Sequence, residues 1–189
     1  ASMSRSFTWD CNGGVLLQVT DENGNTSSTA YSGANYTNVF WRPYSTTDEA
    51  STTTDYFYNL TTATPPVAFQ TESKYHTAFN SGNSTVDKVT TTDGFGRAVF
   101  SQTRQGPSAS SYDTVATCYD TFGRVSLTTL PYSAALATST STCPSTNAGT
   151  AYAYDALGRT GTVGDNYTGG GSTSYTYSKN DTLQTSTSP

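Results

Sequence analysis

The chain has 189 residues, 12% of them charged, with a formal net charge of −5 and a pI near 4.6. Its nine basic residues are scattered without forming a patch, which argues against nucleic acid as a partner, and no run reaches the roughly 18 apolar residues of a membrane span. Ser and Thr fill 63 positions, yet 24 aromatic side chains, 18 Val and Leu and no Ile separate it from disordered chains and predict a folded β protein with a mainly aromatic core.

In chain order, "ASMSRSFTW" lacks the charged and apolar regions of a signal peptide, and a start at Ala1 fits a processed chain or a cut segment. "WDCNGG" from Trp9 reads as a degenerate first turn. "TDENGNTSSTAY" (20–31) aligns with "TDEASTTTDYFY" (47–58) at an offset of 27. Alternation in "TDYFYNL" from Thr54 predicts a strand. Pro65–Pro66 then breaks the pattern, and an irregular insertion is expected around 59–90. "DGFGRAVFSQT" from Asp93 aligns with "DTFGRVSLTTL" from Asp120, again at 27. The next step, to Asp155, is longer by eight residues, which a loop around 133–150 can hold. A weak helical turn is expected at "YSAALA", Tyr132–Ala137. The triple glycine Gly169–Gly171 precedes the alternating strand "STSYTYS", so it reads as a hairpin tip and not as a phosphate cradle. "YSKNDT" from Tyr177 is a last, degenerate copy. A period near 27 signals an array of units that bury their faces against one another.

Each unit reads as a hairpin. Asp120 can accept hydrogen bonds from amides two or three residues on, while Gly123 supplies the left-handed conformation that closes a three-residue loop with a bulge. That loop places Asp120 opposite Arg124 and Tyr119 opposite Val125, the second pair supplying the buried contact. Asp155, Gly158 and Arg159 after Tyr154 repeat the specification, as do Asp93, Gly96 and Arg97. The predicted fold is all-β: a single array of antiparallel hairpins over residues 1–189, in a curved or spiralling strip.

The motifs "YDTFGR" (119–124), "YDALGR" (154–159), "DGFGR" (93–97) and "TDENGN" (20–25) resemble the YD repeat of the rearrangement-hotspot (RHS) family. The resemblance covers most of the chain. It implies a β-sheet strip that spirals into a hollow shell, which in bacterial toxin systems encloses an effector and in teneurins serves cell-surface adhesion. The self-cleaving Asp-Pro-x-Gly motif of the bacterial shells is absent. A chain of this length is expected to form a panel: a piece of a longer chain, or a subunit completed by neighbouring copies through open sheet edges.

No catalytic, metal or cofactor site is expected. His76 is the single histidine and reads more simply as a strand residue than as part of a triad. "DENGN" from Asp21 has the alternating oxygen ligands of a calcium loop, but Ser32 stands where the bidentate Glu is needed, so it reads as a turn. Cys118 and Cys143 flank one unit and can pair, leaving Cys11 free; three unpaired thiols are the competing arrangement. Asn-x-Ser/Thr sequons at Asn25, Asn35, Asn59, Asn83, Asn166 and Asn180 offer glycosylation sites if the source exports and glycosylates the chain. The composition favours a secreted or cell-surface setting. Exposed tyrosines would suit a glycan partner, and core packing is the simpler role for a YD tyrosine. The expected function is a non-enzymatic structural segment that encloses or displays cargo, with an adhesion or glycan-binding fibre module as the alternative.

Overall fold

A computed structural model describes residues 3–31, 41–58, 69–76, 86–106, 109–137 and 143–188. The described residues form fifteen strands and no helix. In the N-terminal half these are β1 (Ser6–Asp10), β2 (Val15–Thr20), β3 (Thr26–Ala30), β4 (Ser45–Thr47), β5 (Thr53–Tyr58), β6 (Phe69–His76) and β7 (Val86–Thr92). The C-terminal half adds β8 (Ala98–Arg104), β9 (Ser111–Tyr119), β10 (Val125–Thr129), β11 (Tyr132–Ala135), β12 (Gly149–Tyr154), β13 (Thr160–Asp165), β14 (Ser172–Ser178) and β15 (Asp181–Thr187). Each strand pairs antiparallel with the next, except that β10 pairs with β12 while β11 returns to β9. The fold is therefore an all-β array of antiparallel hairpins.

A 27-residue unit lays down two strands, so its Asp turns fall at the same end of the sheet each time. Between Asp48 and Asp93 the chain lays down three strands, β5, β6 and β7. This odd number moves the later turns to the opposite end. The turns at Asp21 and Asp48 thus lie at one end of the strands, and those at Asp93, Asp120 and Asp155 at the other. Of the stretch expected as an irregular insertion, β6 runs in unbroken register with both neighbours. Pro65 and Pro66 lie outside the described residues.

The core sits in the middle of the strip, on one face of β7 to β10. Alternation along β9 buries Tyr112, Thr114, Ala116 and Cys118. Cross-strand rungs carry the same face sideways, as Thr91–Phe100–Ala116 and Val89–Gln102–Thr114. Burying each large apolar side chain contributes roughly 1.5–3 kcal/mol. Threonine and glutamine in these rungs need partners as well as burial. Gln102 has them: its amide nitrogen donates to Thr114 Oγ1 (2.9 Å) and to the Ala135 carbonyl (3.0 Å), and its oxygen accepts from the Ala137 amide (2.8 Å). Asp87, 3% exposed, pairs with Arg104 and accepts from the Tyr112 hydroxyl.

Two expectations are corrected here. The helical turn at Tyr132–Ala137 is instead β11, and the loop expected around 133–150 starts later. The reason is the unequal length of β9 and β10. β10 pairs only with residues 117–119 of β9, so the other half of that strand has free edge groups, and β11 takes them at residues 111–114. Backbone groups that need partners override the helix propensity of three alanines and a leucine.

Candidate functional site

The YD-type turns at Asp93, Asp120 and Asp155 share one geometry. At Asp120 the backbone amide donates to the Arg124 carbonyl (2.8 Å), and the Gly123 amide closes back on the Asp120 carbonyl (2.9 Å). Oδ1 of Asp120 accepts from the amides of Phe122 and Arg124, both at 2.9 Å, and Oδ2 from Nε of Arg124 at 2.7 Å. Asp93 with Phe95 and Arg97, and Asp155 with Leu157 and Arg159, repeat this pattern. Gly96, Gly123 and Gly158 take φ of 80°, 81° and 81°. At Asp21 the Asn25 side chain replaces the arginine, donating to Oδ2 at 2.9 Å while two amides fill Oδ1. Internal donors thus occupy both oxygens of that carboxylate.

The turn at Asp48 keeps the two amides on Oδ1, from Ala50 and Thr52, but departs from the pattern at two places, with Thr52 where the arginine stands elsewhere. Ser51 occupies the glycine position with φ of 61°. A left-handed side-chain residue costs roughly 1–2 kcal/mol, and glycine's greater unfolded-state freedom returns part of that. Ser51→Gly is therefore expected to raise stability by about 0.5–1 kcal/mol. Urea denaturation checks it; an unchanged or lower midpoint would mean that Ser51 is not strained.

The turn carboxylates also set an acid limit. At Asp93, Asp120 and Asp155 burial pushes the pKa up, but the hydrogen bonds from the arginine and the turn amides outweigh it, so each lies below the ordinary 3.8. A folded-state pKa below the unfolded one adds stability that is present above the unfolded value. That stability is lost as pH falls through the folded value. Melting temperature should therefore hold down to roughly pH 5 and fall below roughly pH 4. Asp120→Asn should show a shallower acid decline than the unchanged chain.

The tyrosines do more than the sequence indicates. The register does place Tyr119 opposite Val125 and Tyr154 opposite Thr160. Their tips, however, reach the preceding hairpin. Tyr119 Oη donates to the Ala98 carbonyl (3.1 Å), Tyr154 Oη to Val125 (2.8 Å) and Tyr177 Oη to Thr160 (2.8 Å). Each acceptor is the first residue of the adjacent strand and directly follows a turn arginine. Those arginines cover the same rings: Arg97 lies 4.0 Å from the Tyr119 centroid, Arg124 4.5 Å from Tyr154 and Arg159 4.1 Å from Tyr177. Arg97 Nη1 further donates to the Gly123 carbonyl (2.8 Å). A hydrogen bond and a cation–π contact together contribute about 1–2 kcal/mol per link. Three successive links couple four hairpins along one end of the sheet.

Cys118 and Cys143 form a disulfide with Cα atoms 5.6 Å apart, and Cys11 is free and exposed in the β1–β2 turn. The disulfide holds the segment before β12 over the buried face of β9. Asn166 secures the same segment, donating to the carbonyls of Ser145 (2.8 Å) and Asn147 (2.9 Å). A glycan on Asn166 would take one of those two hydrogens. Asn25 is engaged in its turn, and Asn180 stands exposed in the β14–β15 turn. Asn35, Asn59 and Asn83 lie outside the described residues, as does Ser32. His76 sits on β6 opposite Thr53. Gly169–Gly171 lie in the β13–β14 connection, where Gly170 closes a turn on the Tyr167 carbonyl (3.1 Å). Among the described residues no group of three or more His, Cys, Asp or Glu is placed to hold a metal ion.

The sequence matches no protein-family model and no curated protein. Among solved structures, the crystal structure of TcdB2-TccC3 contains a similar chain, at 16% identity and a TM-score of 0.53. The fold is RHS-like. The alignment takes in 96% of this chain and 12% of that one, so the present chain spans about an eighth of its length. At this identity the likeness is one of fold.

Proposed function

We propose that this chain is a non-enzymatic structural panel of an RHS-type wall, which encloses or displays cargo outside the reducing cytosol. The observation that carries this reading is the chain of Arg–Tyr–carbonyl links. Each hairpin offers an arginine and a carbonyl that fasten the tyrosine of the next, so the unit is built to be continued and not to present a solitary site. The likeness to a small part of a much longer chain supports the same reading. So does the disulfide, which suits an oxidising compartment. The glycan-binding alternative is weakened at these positions, because the three half-buried tyrosines have their rings covered and their hydroxyls committed.

The test is the mass and protease sensitivity of the natively produced polypeptide. A wall panel is expected in a polypeptide far larger than 20.0 kDa, with an enclosed segment that resists protease until the array is unfolded. A native product near 20 kDa that binds glycans on an array would replace this reading with adhesion.

A further inference from the structure

The end of the sheet that carries the Asp93, Asp120 and Asp155 turns has a second pattern, unused by the links between hairpins. The third residue of each turn is large, apolar and held in solvent: Phe95 is 87%, Phe122 82% and Leu157 79% exposed. Successive turns are two strands apart, so the tips recur at roughly 10 Å. Between Phe95 and Phe122 runs an open groove of about 490 Å³, lined also by Arg97, Asp120, Thr121 and Gly123. Lys179 occupies the turn two strands further on and ends the apolar row.

We propose that this row is a lateral contact surface for a second copy of the chain, distinct from strand addition at β1 or β15 and independent of any enclosed cargo. In a two-fold arrangement, Phe122 of each copy seats in the Phe95–Phe122 groove of the other. Knobs and grooves then share one spacing, as a self-complementary interface requires.

Charge selects the same occupant. Each of the three turns pairs one Asp with one Arg and is neutral, whereas the opposite end carries Asp21, Glu22, Asp48 and Glu49, with Arg5 pairing Glu22. Two chains of net charge −5 therefore meet with less repulsion through these three turns than through the acidic end. A strongly acidic or basic partner would find no counter-charge there. Each phenylalanine tip buries roughly 150–250 Å², so two per copy, with Leu157 beside them, give on the order of 1,000 Å² in all, the size of a reversible interface.

Sedimentation from about 10 μM to 1 mM should show a monomer–dimer equilibrium that Phe122→Ser weakens by about tenfold or more. Phe122 is exposed and meets Arg124 at 5.0 Å, so the melting temperature should fall by no more than about 4 °C, the loss of one exposed cation–π contact; Phe95→Ser, which loses the like contact with Arg97, provides a second variant with the same expectation. Leu183→Lys, on the exposed strand β15, should leave the dimer intact. A monomer throughout the range would overturn the proposal. So would a dimer that survives Phe122→Ser, or one lost with Leu183→Lys.

Discussion

Gly123→Ala is expected to destabilise the chain by about 3 kcal/mol, clearly more than the same change at Gly158 or Gly96. All three glycines share the left-handed conformation, so each alanine costs roughly 1–2 kcal/mol for its backbone. Only at Gly123 does the added methyl also meet the guanidinium of the preceding turn, 2.7 Å from Arg97 Nη1. At Gly158 the nearest atom is Arg124 Nη1 at 3.7 Å, an ordinary contact, and at Gly96 nothing lies within 4 Å. Arg97 cannot simply swing away. Its Nε is held by Asp93 and its face by Tyr119, and moving it gives up the hydrogen bond to the Gly123 carbonyl. Losing a hydrogen bond from a charged donor adds roughly 1.5–3 kcal/mol, less what relaxation recovers. A double-mutant cycle isolates this part. In an Arg97→Ala background, Gly123→Ala should cost no more than Gly158→Ala does. An equal cost with Arg97 present would mean that the guanidinium does not couple the two turns.

This coupling changes what the repeated motif specifies. Taken within its own hairpin, Asp-x-x-Gly-Arg sets a turn: the carboxylate gathers two amides and the arginine, and the glycine takes the one conformation that closes the loop. Taken between hairpins, the same arginine becomes the cover of the next tyrosine. One residue thus serves a local and a long-range role, and a change at a turn is felt two strands away. Each link joins neighbouring hairpins, so it strengthens the neighbour-to-neighbour interface on which the stability of a repeat array rests.

The local role was legible in the sequence because its partners lie within five residues, where side-chain chemistry and φ preference act directly. The long-range role was hidden by the varying connections. Arg97 precedes Tyr119, Arg124 precedes Tyr154 and Arg159 precedes Tyr177 at three different separations, while the number of strands crossed is constant. Residue spacing is the quantity a sequence comparison measures; strand order is the quantity the contact obeys. The same reasoning accounts for the region before Asp93. An added strand moved the turns to the opposite end, and an offset of 27 has no means of registering that change. For Tyr132–Ala137, the deciding fact was the unpaired half of β9, which no local property of those six residues reports. Polar residues in the core were likewise illegible. Gln102 is 2% exposed because β11 and the residue pair after it supply its partners.

Cys143→Ser is expected to cost about 3.5 kcal/mol, from the entropy returned to an unfolded chain no longer closed between Cys118 and Cys143. In a chain of this size that corresponds to a fall in melting temperature of roughly 7–14 °C. The exposed position of Cys143 makes serine a mild replacement, and the Cys118 thiol left behind still packs as a small apolar group. The disulfide ties the segment before β12 to the face where Phe100, Ala116 and Leu127 are buried, so the loss should be local in its first stage. Hydrogen exchange should quicken at residues 143–148 and along β9, while β14 and β15, remote from the tie, keep their protection. Reductant should reproduce the effect on the unchanged chain, and Cys11→Ser should have none, since that thiol is free and exposed. If Cys143→Ser melts with the parent, the two hydrogen bonds from Asn166 to Ser145 and Asn147 suffice to hold the segment. The β8–β9 face would then owe its cover to polar bonds and not to the disulfide.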